Sequence, residues 1–213
     1  MTMILIWIIA FAITITVHEA AHAWMADRLG DPTPRIDGRL SLNPLVHYDR
    51  IGSTLLVVTT ILTSLGYFPF PFGWAKPVHI DPYNLANPKR DSALISIAGP
   101  LTNITLATLL AAVVRFFPGE IIFNILYPVV LLNIALAIFN LIPIHPLDGG
   151  KVLAGILPQR ESIQFDLFLS QYGMILLLFL IFPFFGGISL ISSIIGPLIG
   201  IIVGFLLPGA TLI

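Results

Sequence analysis

The chain contains no cysteine. That single absence excludes a disulfide framework, a thiolate zinc site, an iron–sulfur cluster and a thiol nucleophile. Charge is scarce too. Asp, Glu, Lys and Arg make up 10% of the 213 residues, against about 25% in ordinary soluble domains, which excludes a soluble globular protein. The formal net charge of −1 leaves no electrostatic footprint for nucleic acid, and no acidic or low-complexity run points to disorder. What is present is apolar: hydrophobic residues reach 57%, with 15 Phe, and mean hydropathy is +0.97. This composition predicts an all-α multi-pass membrane protein with membrane-borne partners. Any metal it holds must be bound by His and carboxylates.

A helix needs about 20 apolar residues to cross a hydrocarbon core roughly 30 Å thick. Residues 1–24 carry no Lys or Arg and one acid, Glu19. Lacking a basic leader and a small-residue cleavage site, they read as a permanent helix rather than a signal peptide. Residues 25–50 are polar, broken by Pro32, Pro34 and Pro44, and read as a surface loop. Residues 51–67 are apolar and Thr-rich but short for a span. Residues 68–88 then hold Pro69, Pro71, Pro77, Pro82 and Pro88, which forbids a continuous helix and favours extended chain. Clear spans follow at 93–117, with Asp91 and Ser92 as caps, and at 121–141; residues 167–182 and 188–207 complete the chain, separated by Pro183 and Gly186-Gly187. The sum is about five spans, a re-entrant or short helical segment and a Pro-rich extended stretch. No internal repeat or linker divides residues 1–213.

One motif carries chemistry. His18-Glu19-Ala20-Ala21-His22 is H-E-x-x-H within a helix. A spacing of four sets both imidazoles on one face, able to grip one Zn²⁺, with Glu19 beside them as a general base. The bland alternative is two neutral, hydrogen-bonded packing histidines and a protonated or paired Glu19. Ionisable groups within a span cost about 2.5–3.5 kcal/mol each and are rarely there without a function. A catalytic zinc site takes three protein ligands, so the third must come from His47, His79, His145 or a carboxylate. Asp148 is the best candidate, ending the run Asn140-Leu141-Ile142-Pro143-Ile144-His145-Pro146-Leu147-Asp148 beside a span. Its bland reading is an N-cap for a helix starting near Lys151. The pairs His47 with Asp49 and His79 with Asp81 read as turn residues in preference to a second metal site. Trp74 and Tyr83 read as interface anchors.

The H-E-x-x-H motif, the stretch Ala98-Gly99-Pro100-Leu101-Thr102-Asn103, and Asn140-x-x-Pro143 leading into Leu147-Asp148-Gly149 together resemble the site-2 protease family of intramembrane zinc metalloproteases. Residues 43–49 and 73–78 resemble its short prokaryotic branch. The resemblance implies one Zn²⁺ held by His18, His22 and Asp148, Glu19 as the base, and Asn140 contacting the substrate carbonyl or oxyanion. It also implies a single membrane-embedded protease domain over 1–213, with a catalytic core at 1–157 and a C-terminal helical hairpin at 164–207. Its substrates would be membrane proteins or peptides, and its regulators separate proteins. His145 departs from the family pattern and is a secondary candidate.

Topology constrains the rest. Spans 93–117 and 121–141 form a hairpin, so Asp148 reaches the depth of His18 and His22 only if residues 51–90 leave and re-enter on one side. With 26–90 and 142–166 on that side, it collects Arg28, Arg35, Arg39, Arg50, Lys76, Lys89, Arg90, Lys151 and Arg160 of the 10 Lys and Arg, leaving Arg115 opposite. Cytoplasmic loops gather such residues, so the expected localisation is the cell membrane with the site in the cytosolic half of the bilayer. The stretch 68–78 is expected to hold an unwound substrate as an added strand. A divalent-metal transporter built on the same His, Glu and Asp cluster is the alternative, although it would normally show repeat symmetry. A catalytically dead scaffold is a second, weakened by the intact His18, Glu19, His22 and Asp148 set.

Overall fold

The computed structural model describes residues 2–65, 67, 73–182 and 189–208. Its helices are α1 (Thr2–Arg28), α2 (Thr33–Ile36), α3 (Arg50–Ser64), α4 (Pro88–Phe116), α5 (Glu120–Asn140), α6 (Asp148–Ile156), α7 (Gln159–Ile181) and α8 (Leu190–Leu206). Short 3-10 turns occupy Pro44–His47 and Pro82–Asn84, and no strand occurs among the described residues. Among the described residues, four helices are long and apolar enough to cross a membrane: Ile4–Arg28 of α1, α4, α5 and α7. The last apolar segment expected from the sequence is the 17-residue α8.

Boundaries moved where polar residues turned out to be helical. α4 opens at Pro88, whose missing N–H costs nothing in a first turn. Asp91 lies within that turn, and its carboxylate accepts the Asn87 N–H at 2.8 Å, so it secures the helix start from inside. α7 begins at Gln159 rather than near Leu167, with Glu161 in its first turn, where the helix dipole favours an acid.

α4 and α5 form a tight antiparallel pair. Ala107 and Ala111 of α4 pack with Val130 and Ile134 of α5 and Val203 of α8, and the alanines let the backbones approach closely. α1 packs against both helices. Its Thr14 hydroxyl accepts the Asn133 amide at 2.8 Å, a bond between helices that satisfies polar atoms away from water.

The chain after α3 returns to the start of that helix. A Cβ on Gly52 would lie 2.4 Å from the Trp74 carbonyl oxygen, one on Gly73 would lie 2.5 Å from Leu56 Cβ, and the Lys76 N–H donates to the His47 carbonyl at 2.9 Å. A chain that doubles back on α3 is compatible with the expected departure and return of residues 51–90 on one side. Of the stretch 68–88 expected to be extended, residues 73–81 form neither helix nor strand, and residues 68–72 lie outside the described residues.

Asp31, fully buried, ties this returning segment to the end of α1. Its carboxylate accepts the Thr33 N–H at 3.0 Å, the Asp81 N–H at 2.8 Å and the Asn84 side-chain amide at 2.9 Å. Burial alone would raise its pKa, but these bonds outweigh burial and hold it below the ordinary carboxylate value. A lowered folded pKa gives stability that is complete above the unfolded value and lost as pH falls through the folded one. Asp31→Ala is expected to cost about 1.5–3 kcal/mol at neutral pH. The gap between wild type and variant, measured by thermal unfolding in detergent, should narrow below the ordinary carboxylate range.

Candidate metal centre

His18 and His22 share one face of α1, and their rings meet edge to face with centroids 4.6 Å apart. Asp148 opens α6. Its N-cap position is filled by Leu147, and the carboxylate makes no capping bond, so the bland reading of Asp148 as a cap does not describe it. Instead Asp148 Oδ2 lies 3.2 Å from His18 Nε2 and 3.3 Å from His22 Nε2. Among the described residues, these three are the one group of His and carboxylate donors able to hold a metal.

The donor set fits zinc. Ligands about 2.0–2.1 Å from a tetrahedral ion stand about 3.3 Å from one another, close to the two measured separations. Tautomers agree as well. The Ile95 carbonyl, 2.7 Å from His22 Nδ1, can only accept, so Nδ1 carries the proton and Nε2 is left free to ligate.

Two glycines make the approach possible. A Cβ on Gly99 of α4 would lie 2.6 Å from His22 Nε2 and 2.7 Å from His18 Cε1. A Cβ on Gly149 would lie 2.3 Å from the Leu141 carbonyl oxygen, so glycine beside Asp148 lets the loop after α5 cross the start of α6.

Glu19 lies in the same cleft, of about 160 Å³, which it shares with the three donors, Asn140 and Lys151. Its Oε2 accepts the Val78 N–H at 3.2 Å. The Asn140 amide donates to the Leu136 carbonyl at 3.1 Å, which leaves its carboxamide at the cleft wall. The remaining candidates lie elsewhere. His145 faces Asp166 of α7 at 3.6 Å. His47 is buried with Nε2 2.9 Å from the Ser41 carbonyl, Asp49 caps α3, and Asp81 caps the turn at Pro82–Asn84. His79 is exposed. Asp49 and Asp81 thus serve as caps, as the turn readings expected of them.

The sequence did not point to the Ile95 carbonyl, the Val78 N–H or Lys151. The first two are backbone groups, which residue type does not encode. Lys151 follows Asp148 by three positions, and that helical spacing was the available signal.

Two helix-borne imidazoles, a distant carboxylate and an adjacent glutamate within a bundle of membrane-length helices define a membrane-embedded metallopeptidase. The comparisons agree. Peptidase family M50 matches residues 117–180. "Putative zinc metalloprotease YwhC" of Bacillus subtilis is 30% identical over 217 residues, covering 90% of this chain and 93% of that protein. "Putative zinc metalloprotease Rip2" of Mycolicibacterium smegmatis is 32% identical over 150 residues, 68% of this chain and 55% of that protein. "Zinc metalloprotease MJ0392" of Methanocaldococcus jannaschii is 42% identical over 74 residues, 34% of this chain and 22% of that protein. No solved structure gives a significant match. The chain belongs to peptidase family M50, the site-2 protease family of zinc metalloproteases. Neither the family match nor these names support the transporter alternative.

Gly99→Ala is expected to push both imidazoles off the shared donor position. With the roughly 1–3 kcal/mol cost of overpacking borne by the donor residues, zinc affinity should drop by about 5- to 150-fold. Chelator competition on the purified protein measures it.

Proposed function

We propose that the protein hydrolyses peptide bonds of transmembrane or membrane-associated substrates, with His18, His22 and Asp148 as zinc ligands and Glu19 as general base. The observation that carries this reading is the convergence of both His Nε2 atoms on Asp148 Oδ2, at 3.2 and 3.3 Å, in the cleft that holds Glu19. Zinc, when bound, acidifies water and polarises the scissile carbonyl. Glu19 takes the proton of the attacking water at its carboxylate and delivers it to the leaving amine. The Val78 N–H on Oε2 keeps that carboxylate turned into the cleft. Asn140, at the cleft wall, is placed to donate its amide to the carbonyl oxygen as charge develops there.

Two features support a membrane substrate. An apolar cavity of about 390 Å³ opens between α1, α5 and α8, and its lining residues Thr14 and Leu136 stand one turn from His18 and Asn140. Residues 77 and 78 border the cleft in non-helical chain, so an unwound substrate can lie alongside them. The Lys and Arg distribution supports a site in the cytosolic half of the bilayer.

Glu19→Gln should retain zinc and lose cleavage of a membrane-helix reporter by at least about 10²–10⁴-fold, while His22→Ala and Asp148→Ala should lose the metal. Zinc content by elemental analysis beside reporter cleavage checks both, and full cleavage by Glu19→Gln would overturn the assignment. Because the chain has no cysteine, Glu120→Cys and Arg160→Cys offer a clean topology test. An impermeant thiol reagent should label position 120 in intact cells and position 160 only after lysis.

A further inference from the structure

The two histidines differ in one respect. His22 has a partner for its second ring nitrogen, the Ile95 carbonyl, whereas His18 Nδ1 is buried without one. A metal-ligating histidine almost always donates its other N–H, because that bond fixes the tautomer and ring orientation.

The facing helix carries the matching deficit. Asn103 of α4 is fully buried, and both its carboxamide oxygen and its amide nitrogen lack partners. Such atoms in a native interior call for an explanation. Helix geometry supplies one. His22 meets Ile95, and the next turn of α4, at Gly99, meets both imidazoles. α4 therefore runs antiparallel to α1, and one turn further brings Asn103 to the outer edge of His18. Side chains lean toward the N-terminus of their own helix. Asn103 accordingly leans back over Gly99, while His18 leans toward the turn of Thr14. With the helices antiparallel these directions converge beside Gly99, whose missing Cβ admits the His18 ring to this face of α4. The fully buried Asn133 donates to Thr14, one turn before His18 on α1, so a buried polar pair already exists at this level of the bundle.

We propose that Asn103 is a positioning residue for the His18 ligand: its carboxamide oxygen accepts the hydrogen bond of His18 Nδ1–H across one buried water and turns Nε2 toward the metal. The inference rests on the reading of His18 as a zinc ligand. Leu in place of Asn103 keeps the volume and removes the acceptor. Asp keeps the acceptor.

The test is zinc affinity of the full-length protein in detergent, by chelator competition, with thermal unfolding of the metal-free protein read alongside. Asn103→Leu should weaken zinc binding by about 10- to 100-fold, and Asn103→Asp should bind as tightly as wild type. Thr14→Val, which removes a neighbouring hydrogen bond, should lower the unfolding temperature without changing affinity. Wild-type affinity in Asn103→Leu overturns the role of Asn103 alone, whereas a wild-type protein that takes up no zinc overturns the ligand reading beneath it. Should Asn103→Leu fail to fold, ¹⁵N-histidine spectra of the zinc-loaded wild type decide the question. A His18 Nδ1–H protected from exchange supports the proposal, and a freely exchanging Nδ1–H or ligation through Nδ1 overturns it.

Discussion

The carboxylate of Asp148 placed against two imidazoles of α1 is the contact around which the bundle is arranged. Removing a carboxylate from water costs several kcal/mol unless charge and hydrogen bonds compensate. The arrangement therefore requires α1 and α6 to hold one depth to within a fraction of an ångström, although the two residues are far apart in sequence. α4 enforces this by touching both helices. Its Gly99 admits the imidazoles of α1, and its Ala93 meets Gly155 of α6, where a Cβ would lie 2.2 Å away. One long helix with a small residue at each crossing thus acts as the ruler for the other two.

A second constraint comes from the lipid, which offers no partner for a stray backbone group. Thr102, Thr105 and Thr108 return their hydroxyls to carbonyls four residues back in α4, each at 2.8 Å, so these polar side chains cross an apolar layer without exposed donors. Asn133 divides its amide between the Val129 carbonyl and Thr14. Asn103 stands out beside these residues, because both polar atoms of its carboxamide are buried without a partner.

The spans and the H-E-x-x-H face were legible because both are periodic features of side-chain type. Asp148 was legible for another reason: a carboxylate just after a proline-broken span has few roles in a membrane. Parity calls for residues 51–90 to leave and return on one side, and the contacts of Gly52, Gly73 and Lys76 bring the chain after α3 back to the start of that helix. Helix starts were less legible. Gln159 to Asp166 is polar enough to read as loop, yet it forms the first turns of α7 because a helix leaving the membrane retains its backbone bonds in water. Least legible were the carbonyl of Ile95 and the amide of Val78, since any residue at those positions offers the same backbone group.

The site occupies a seam between two environments, and hydrolysis within a membrane needs both. Six residues separate His22 from Arg28, about 9 Å of helix, and Arg28 stacks on Trp24 at 5.4 Å, a pairing suited to the headgroup layer. The donor-bearing turn therefore lies roughly one and a half turns of α1 before Arg28. On one side the cleft runs past Glu19 to the exposed Lys151, a polar route for water. On the other, one turn beyond His18 and Asn140, lies the apolar cavity between α1, α5 and α8. Under the proposed function, a peptide bond entering from lipid and a water molecule entering from the aqueous side would meet at the level where the two imidazoles, the Asp148 carboxylate and Glu19 share one cleft.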